Sequence, residues 1–244
     1  MEFHTQATQA AQSTSAAAVG ASAPLRPLVV LAPPVPGTDT RRVLRNTYAL
    51  LAMTLLFSAG VAAAGVALRW PAPGLLITLV GSIGLLFAVY KLKSSAWALA
   101  AVFGLTGFTG YTLGPLLTKA LAAPAGGQVV MLALAATGVT FLTLSAWVLS
   151  TRRDFSFIGG FLFAGMVIAL LAGLGAAFLQ LPALGLAVSA MVALLSAGLI
   201  LYETSRIVNG GETNYVLATV GLYLSIFNLF TSLLSLFGLG GSDE

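Results

Sequence analysis

Charged residues divide this chain into long stretches that carry no charge at all. The uncharged stretches after Arg45 are 46–68, 70–90, 94–118, 120–151, 155–202 and 213–242. A helix that crosses a bilayer needs about 20 consecutive apolar residues, so every stretch except the fifth has room for one helix. The fifth has room for two, and Pro182 marks the turn between them because proline lacks a backbone donor. The pattern therefore predicts seven transmembrane helices.

These helices form one predicted membrane domain over residues 41–239. Their expected ranges are 47–68, 74–91, 96–118, 128–150, 156–179, 183–207 and 214–237. The composition agrees, because charged residues make up only 7% of the 244 residues, against roughly 25% in soluble domains. We therefore expect an all-α integral membrane protein with the architecture of a seven-transmembrane-helix bundle, surrounded by the lipid bilayer.

The first 40 residues have a different composition from the rest of the chain. They are rich in Ala, Ser, Thr, Gln and Pro, and they offer too little apolar surface to offset the entropy of ordering. We therefore predict a disordered tail over residues 1–40.

Lysine and arginine predict the orientation, because the loops that stay in the cytoplasm collect them. With the tail inside, nine basic residues lie on the inner side and two on the outer side. The inner set is Arg26, Arg41, Arg42, Arg45, Lys91, Lys93, Arg152, Arg153 and Arg206, and the outer set is Arg69 and Lys119. This bias predicts a cytoplasmic N-terminus and places residues 240–244 on the far side of the membrane.

The third predicted helix carries glycines at three- and four-residue spacing. They are Gly104, Gly107, Gly110 and Gly114. In lipid, small residues are favoured where helix backbones approach each other, so this spacing predicts a helix-packing face. A pore lining is the alternative, since glycine at a cavity wall has the same pattern. Pro115 is expected to kink or end the helix near the outer surface.

The candidate polar centre lies in the last two predicted helices. Glu203 is an acidic residue at membrane depth, and such a residue is a functional candidate. It could sense protons or cations, pair with Arg206 three residues later on the same helix, or form a packing hydrogen bond to another helix. Ser225 and Asn228 share a face of the seventh helix and are expected to join helices or to complete a proton- or ion-sensing site with Glu203.

The turn at residues 209–214 separates these two helices. It has the sequence Asn-Gly-Gly followed by Glu212, Thr213 and Asn214. Thr213 or Asn214 is expected to cap the seventh helix by accepting a hydrogen bond from its free amides. A contact surface for a cytoplasmic partner is the other use of such a loop.

Several classes of function lack the residues they require. The chain has no cysteine and a single histidine, His4, so zinc and haem sites have almost no ligands and no metal or other cofactor is expected. It has no HExxH and no phosphate-binding GxxxxGK[ST] motif, and no Ser/His/Asp set can form in the membrane domain. We expect no enzyme. The basic residues stand singly at segment ends, which argues against a nucleic-acid partner.

A set of motifs in order resembles a known family. They are RNTY (45–48), PAPGL (71–75), TLVG (78–81), TGFTGYTLGP (106–115), LQLPAL (179–184), LYETS (201–205), GGETNY (210–215) and LYLSIFNLF (222–230). The chain resembles the Bax inhibitor-1 family of membrane proteins over residues 41–238. The resemblance implies a bacterial inner-membrane protein with a periplasmic C-terminus. It also implies a protein that binds and modulates FtsH, the membrane-anchored ATP-dependent protease, as a slow substrate engaged through its N-terminal tail.

The wider family implies a second function, a pH-sensitive calcium leak. In those members two aspartates on the last two helices share a proton and close the path. The first of these positions corresponds here to Glu203, and the second falls at Ser225. One carboxylate is therefore replaced by a hydroxyl, which cannot form a paired-carboxylate latch. Calcium ions and protons remain the ligands of this alternative.

Overall fold

The computed structural model describes residues 38–240 and consists there of helices joined by short turns. The helices are α1 (Thr38–Ala67), α2 (Leu75–Leu92), α3 (Ala98–Ala122), α4 (Gly126–Thr151), α5 (Gly159–Leu179), α6 (Pro182–Val208) and α7 (Tyr215–Gly240). A single 3-10 turn, Ser156–Ile158, precedes α5. The tail predicted for residues 1–40 lies outside the described residues except for its last three positions, and the far-side terminus predicted for 240–244 lies outside them after Gly240.

The prediction of seven apolar helices is confirmed, since each of the seven is long and apolar enough to cross a membrane. The start of α1 differs most from the expected ranges, and every other helix end lies within about four residues of its expected position. Helix α1 begins at Thr38 rather than near residue 47, because its first turns are polar and charged and no apolar pattern could reveal them. Helix α3 continues through Pro115 to Ala122, so of the two effects expected of this proline, a kink or an end of the helix, the end does not occur. A proline within a helix removes one hydrogen bond but does not have to stop it.

Helix α7 is the centre of the bundle. It packs against α1, α3, α4 and α6, and half of the residues in its most apolar segment are buried. The peripheral helices are α2, which packs mainly on α3, and α5, which packs mainly on α6. This arrangement leaves the outward faces of α2 and α5 covered with large exposed apolar side chains, as expected for helices that meet lipid.

The glycines of α3 face two different neighbours. Gly107, Gly110 and Gly114 lie against α1, where a Cβ atom on Gly110 would stand 2.5 Å from the carbonyl oxygen of Ser58. Gly104 faces α2 instead, and a Cβ atom there would meet only Leu85 at an ordinary 3.7 Å. The close approach of α1 and α3 therefore depends on three of the four glycines.

Three turns meet at one end of the bundle, which we call the basic end. They are the turns at residues 93–97, 152–155 and 209–214, and they carry or adjoin Lys93, Arg153 and Arg206. The side chain of Asn214 donates to the carbonyl oxygen of Lys93 at 3.1 Å, which links the first of these turns to the third. The candidate site lies at this end.

A candidate polar site at the basic end

Arg206, in the last turn of α6, lies between two carboxylates. Its Nη2 atom donates to the Glu212 carboxylate at 3.1 Å and to the carbonyl oxygen of Gly211 at 3.4 Å. Its Nη1 atom is 3.9 Å from the Glu203 carboxylate. The guanidinium carbon also stands 5.5 Å from the centre of the Tyr202 ring. Glu212 is thus the close partner of Arg206, and Glu203 is a more distant one.

Glu203 projects from α6 against the backbone of α7. A Cβ atom on Gly221 would stand 2.7 Å from the carboxyl carbon of Glu203, so the absence of a side chain at Gly221 makes room for the carboxylate. The Glu203 side chain is 15% exposed, and its ionic contact is the distant one to Arg206. The carboxylate therefore occupies the interface between the last two helices with little compensation from neighbouring groups.

Glu212 organises the turn that joins these two helices. Its amide donates to the carbonyl oxygen of Arg206 at 3.1 Å, and its carboxylate accepts from the amide of Asn214 at 3.0 Å. Asn214 in turn caps α7, because its side-chain oxygen accepts from the amides of Val216 and Leu217. Of the two residues expected to cap α7, Asn214 does so.

The turn between α4 and α5 is fastened to α6 by Ser205. The Ser205 hydroxyl donates to the carbonyl oxygen of Arg153 at 3.1 Å and accepts from the amide of Phe155 at 2.8 Å. Asn209 adds a bond of 3.4 Å to the same Arg153 carbonyl oxygen. In this turn, hydrogen bonds from Ser156 hold the pKa of Asp154 below its ordinary value. The basic end is therefore a connected polar surface rather than a set of separate loops.

Ser225 and Asn228 do not join this cluster. The Ser225 hydroxyl donates to the carbonyl oxygen of Gly221 in its own helix at 2.9 Å. Asn228 lies seven residues beyond Gly221, about 10 Å further along the axis, and lines a cleft between α2 and α5. Among the four residues predicted for the sensing site, the structure brings only Glu203 and Arg206 together, and Glu212 was not among the predicted residues.

A second polar cluster lies deep in the bundle. The hydroxyl of Tyr223 on α7 is 2.6 Å from the Thr109 hydroxyl on α3, and it donates to the Ser58 hydroxyl on α1 at 2.7 Å. All three side chains are buried. This cluster connects three helices at membrane depth and is a packing device. Hydropathy patterns cannot reveal which residues meet here, because the three side chains come from helices that are distant in the sequence.

The described part of the chain offers few ligands for a metal ion. Within residues 38–240 no three His, Asp or Glu side chains come close enough to hold one. The two carboxylates that do approach each other, Glu203 and Glu212, both face the Arg206 guanidinium. Chemically, the arrangement is an ionic cluster in which one guanidinium lies between two carboxylates.

The fold and the site together define a class, a seven-helix integral membrane protein with a polar cluster at one end of its last two helices. More particularly, the chain belongs to the family described as inhibitor of apoptosis-promoting Bax1, whose sequence profile matches residues 40–242. The resemblance drawn from the ordered motifs is thereby confirmed.

Several relatives are about half identical to this chain. One, named modulator of FtsH protease YccA, is from Escherichia coli K12. It is 51% identical over 205 residues, which cover 84% of this chain and 93% of the relative. An uncharacterized protein of Pseudomonas aeruginosa is 51% identical over 202 residues, covering 83% and 91%. An uncharacterized membrane protein of Vibrio cholerae is 44% identical over 207 residues, covering 84% and 93%.

Proposed function

We propose that this chain is an inner-membrane modulator of FtsH, the membrane-anchored ATP-dependent protease. The observation that carries the proposal is its 51% identity, over 84% of its length, to the protein named modulator of FtsH protease. The proposal places the N-terminus and the basic end in the cytoplasm, as the distribution of Lys and Arg indicates. Residues 240–244 then lie in the periplasm.

In this proposal the chain inhibits FtsH as a slowly processed substrate. The first 40 residues enter the cytoplasmic chamber of the protease, and α1 is the first helix that the protease must pull from the membrane. Helix α1 packs tightly on α3 through Gly110 and Gly114 and also packs on α7. Because α7 contacts most of the bundle, extraction of α1 disrupts its core. A bundle that resists extraction occupies the protease and spares other substrates.

The lifetime of the protein in cells with active or inactive FtsH tests the proposal. We would compare the full chain with a version that lacks residues 2–37, so that α1 remains whole and Arg41, Arg42 and Arg45 still orient it. A third version replaces residues 2–37 by a Gly/Ser tail of equal length, which separates the effect of the tail's sequence from the effect of its length. We expect the full chain to disappear slowly with active FtsH and the shortened chain to persist. The proposal would be refuted if the full and the shortened chain had the same lifetime, whether or not FtsH is active.

A second candidate function is a pH-sensitive cation leak at Glu203. The observation that favours it is the position of this carboxylate in the α6–α7 interface against Gly221, with only a distant ionic contact. The test is calcium flux into liposomes that contain the purified protein, measured across a pH series. The candidate predicts that Glu203→Gln removes the pH dependence, and absence of flux in the unmodified protein would rule it out.

A further inference from the structure

An apolar cleft separates the peripheral helices α2 and α5. Its volume is about 500 Å³, and its walls are apolar side chains of these two helices, among them Leu75, Leu79, Phe163 and Leu170. Val192 of α6 and Asn228 of α7 also line it. The lining residues of α5 extend from Phe163 to Ala177, which corresponds to about 21 Å along the helix axis. The cleft therefore extends through much of the thickness of a bilayer core.

Asn228 places one carboxamide in this apolar cleft. The residue lies at the middle of α7 (Tyr215–Gly240), about 18–20 Å from either end of the helix. Its backbone carbonyl accepts from Thr231, but its side chain has no hydrogen-bond partner among residues 38–240. Transfer of a carboxamide from water to hydrocarbon without a hydrogen-bond partner is unfavourable by roughly several kcal/mol. Something that enters the cleft is expected to satisfy it.

The chemistry of the cleft restricts what that occupant is. Acyl chains of lipids would fill it but carry no hydrogen-bonding group at mid-depth. A buried water needs two to four polar partners, and Asn228 is the one polar side chain among residues 38–240 that lines the cleft. In a second copy of the chain, α5 has no hydrogen-bonding side chain over Gly159–Leu179, whereas α2 carries Thr78 and Ser82. A symmetric dimer through this face is therefore an outcome that the crosslinking experiment below distinguishes from the proposed occupant.

A transmembrane helix with a polar side chain near its middle meets both requirements. Its apolar residues would cover the exposed faces of α2 and α5, and its Asn, Gln, Ser or Thr side chain would bond to the Asn228 carboxamide. We propose that the α2–α5 cleft is the docking site for such a helix of the membrane-anchored protease. This inference rests on the proposed function and names the surface of the bundle through which the two proteins meet in the membrane.

Substitution of Asn228 tests the hydrogen bond. Affinity of the full chain for the purified FtsH complex would be measured in nanodiscs. We expect Asn228→Leu to weaken it about 3- to 20-fold, the range that interhelical hydrogen bonds span in membranes, and Asn228→Gln to restore most of it. Because the side chain makes no bond within the bundle, Asn228→Leu should not lower the unfolding midpoint of the isolated protein. An earlier unfolding of that variant, or unchanged affinity, would overturn the inference.

Crosslinking from single cysteines tests the location, and the chain is suited to it because it has no cysteine of its own. Leu170→Cys places the probe in the cleft, and Leu171→Cys places it on the same helix outside the cleft. Both positions are well exposed, at 49% and 63%. We expect a photoreactive probe at residue 170 to label FtsH several times more strongly than one at 171, and Asn228→Leu to reduce that label.

The outcomes separate this inference from the function on which it rests. If FtsH degrades the chain in a tail-dependent way but the cleft probe labels only lipid or a second copy of the chain, the docking site is refuted and the function stands. If the unmodified chain neither binds FtsH nor depends on it for its lifetime, both are refuted. Equal labelling from positions 170 and 171 would also overturn the cleft as the contact.

Discussion

Substitution of Gly110 by alanine tests how the bundle holds α1. A Cβ atom at this position would stand 2.5 Å from the carbonyl oxygen of Ser58 and 3.1 Å from its Cα atom. To restore an ordinary contact of 3.4 Å, α1 and α3 would have to separate locally by about 0.9 Å. The Ser58 Oγ atom would also be 3.0 Å away, but the shortest contact is with the backbone carbonyl oxygen, so rotation of the Ser58 side chain does not relieve it.

The expected loss of stability in Gly110→Ala follows from two opposing effects. Overpacking a well-packed site is unfavourable by about 1–3 kcal/mol. Alanine favours a helix over glycine by roughly 0.5–1 kcal/mol, which offsets part of that loss. We therefore expect Gly110→Ala to lower the free energy of unfolding by about 1–2 kcal/mol. Gly104→Ala on the same helix is the matched control, because its Cβ atom meets only Leu85 at 3.7 Å, and it should be neutral or slightly stabilising.

Reversible unfolding of the purified protein in bicelles, followed by tryptophan fluorescence, measures both variants. The slow-substrate proposal adds a readout in cells, since a bundle with a weaker α1–α3 contact should be extracted faster and the Gly110→Ala protein should have a shorter lifetime with active FtsH. Equal stability of Gly110→Ala and Gly104→Ala would show that the helices can separate freely, and the argument that this contact resists extraction would fail.

Three further changes test other parts of the structure. Tyr223→Phe removes a buried hydroxyl with two side-chain partners and should lower the free energy of unfolding by about 1–3 kcal/mol in the same assay. Glu212→Gln removes the charge that lies 3.1 Å from Arg206. If the pair contributes about 1 kcal/mol to the free energy of opening the turn, amides 209–214 should exchange hydrogen about fivefold faster in this variant. Unchanged exchange would refute the role given to this pair. Hydrogen bonds from Ser156 lower the pKa of Asp154 in the folded protein. The Asp154 carboxylate therefore stabilises the 152–155 turn fully above pH 3.8, and this stabilisation is lost as the pH falls through the lowered pKa of the folded state. Asp154→Asn should abolish that acid-dependent change in the exchange of the Ser156 amide.

The number of helices and most of their ends could be predicted because charge is nearly absent from the membrane. In a bilayer each charge within a span is unfavourable, so the few charged residues mark the ends of spans. The same reasoning fails where a helix continues outside the membrane. Helix α1 starts at Thr38 and includes Arg41, Arg42 and Arg45, and the hydropathy signal has no information about such polar turns.

The candidate site was predictable in its location but not in its partners. Glu203 and Arg206 are three residues apart on one helix, so their proximity follows from helical geometry alone. The shorter contact of Arg206, to Glu212, depends on how the 209–214 turn folds back on α6. Glycine residues in that turn make its path unpredictable from local sequence. The space for the Glu203 carboxylate depends on Gly221 of α7, a contact between helices that no periodicity reveals.

Shared spacing on a helix also does not tell which neighbour each residue meets. Gly104 and Gly110 belong to one predicted face, yet one faces α2 and the other α1, because a face of a helix is wide enough to contact two helices. Ser225 and Asn228 differ in the same way. The Ser225 hydroxyl forms its hydrogen bond within its own helix, whereas Asn228 lines the cleft between α2 and α5. A carboxamide kept without a partner within the bundle is best understood through a molecule outside it, and this is why the α2–α5 cleft, rather than the Glu203 cluster, is where we place the contact with the protease in the membrane.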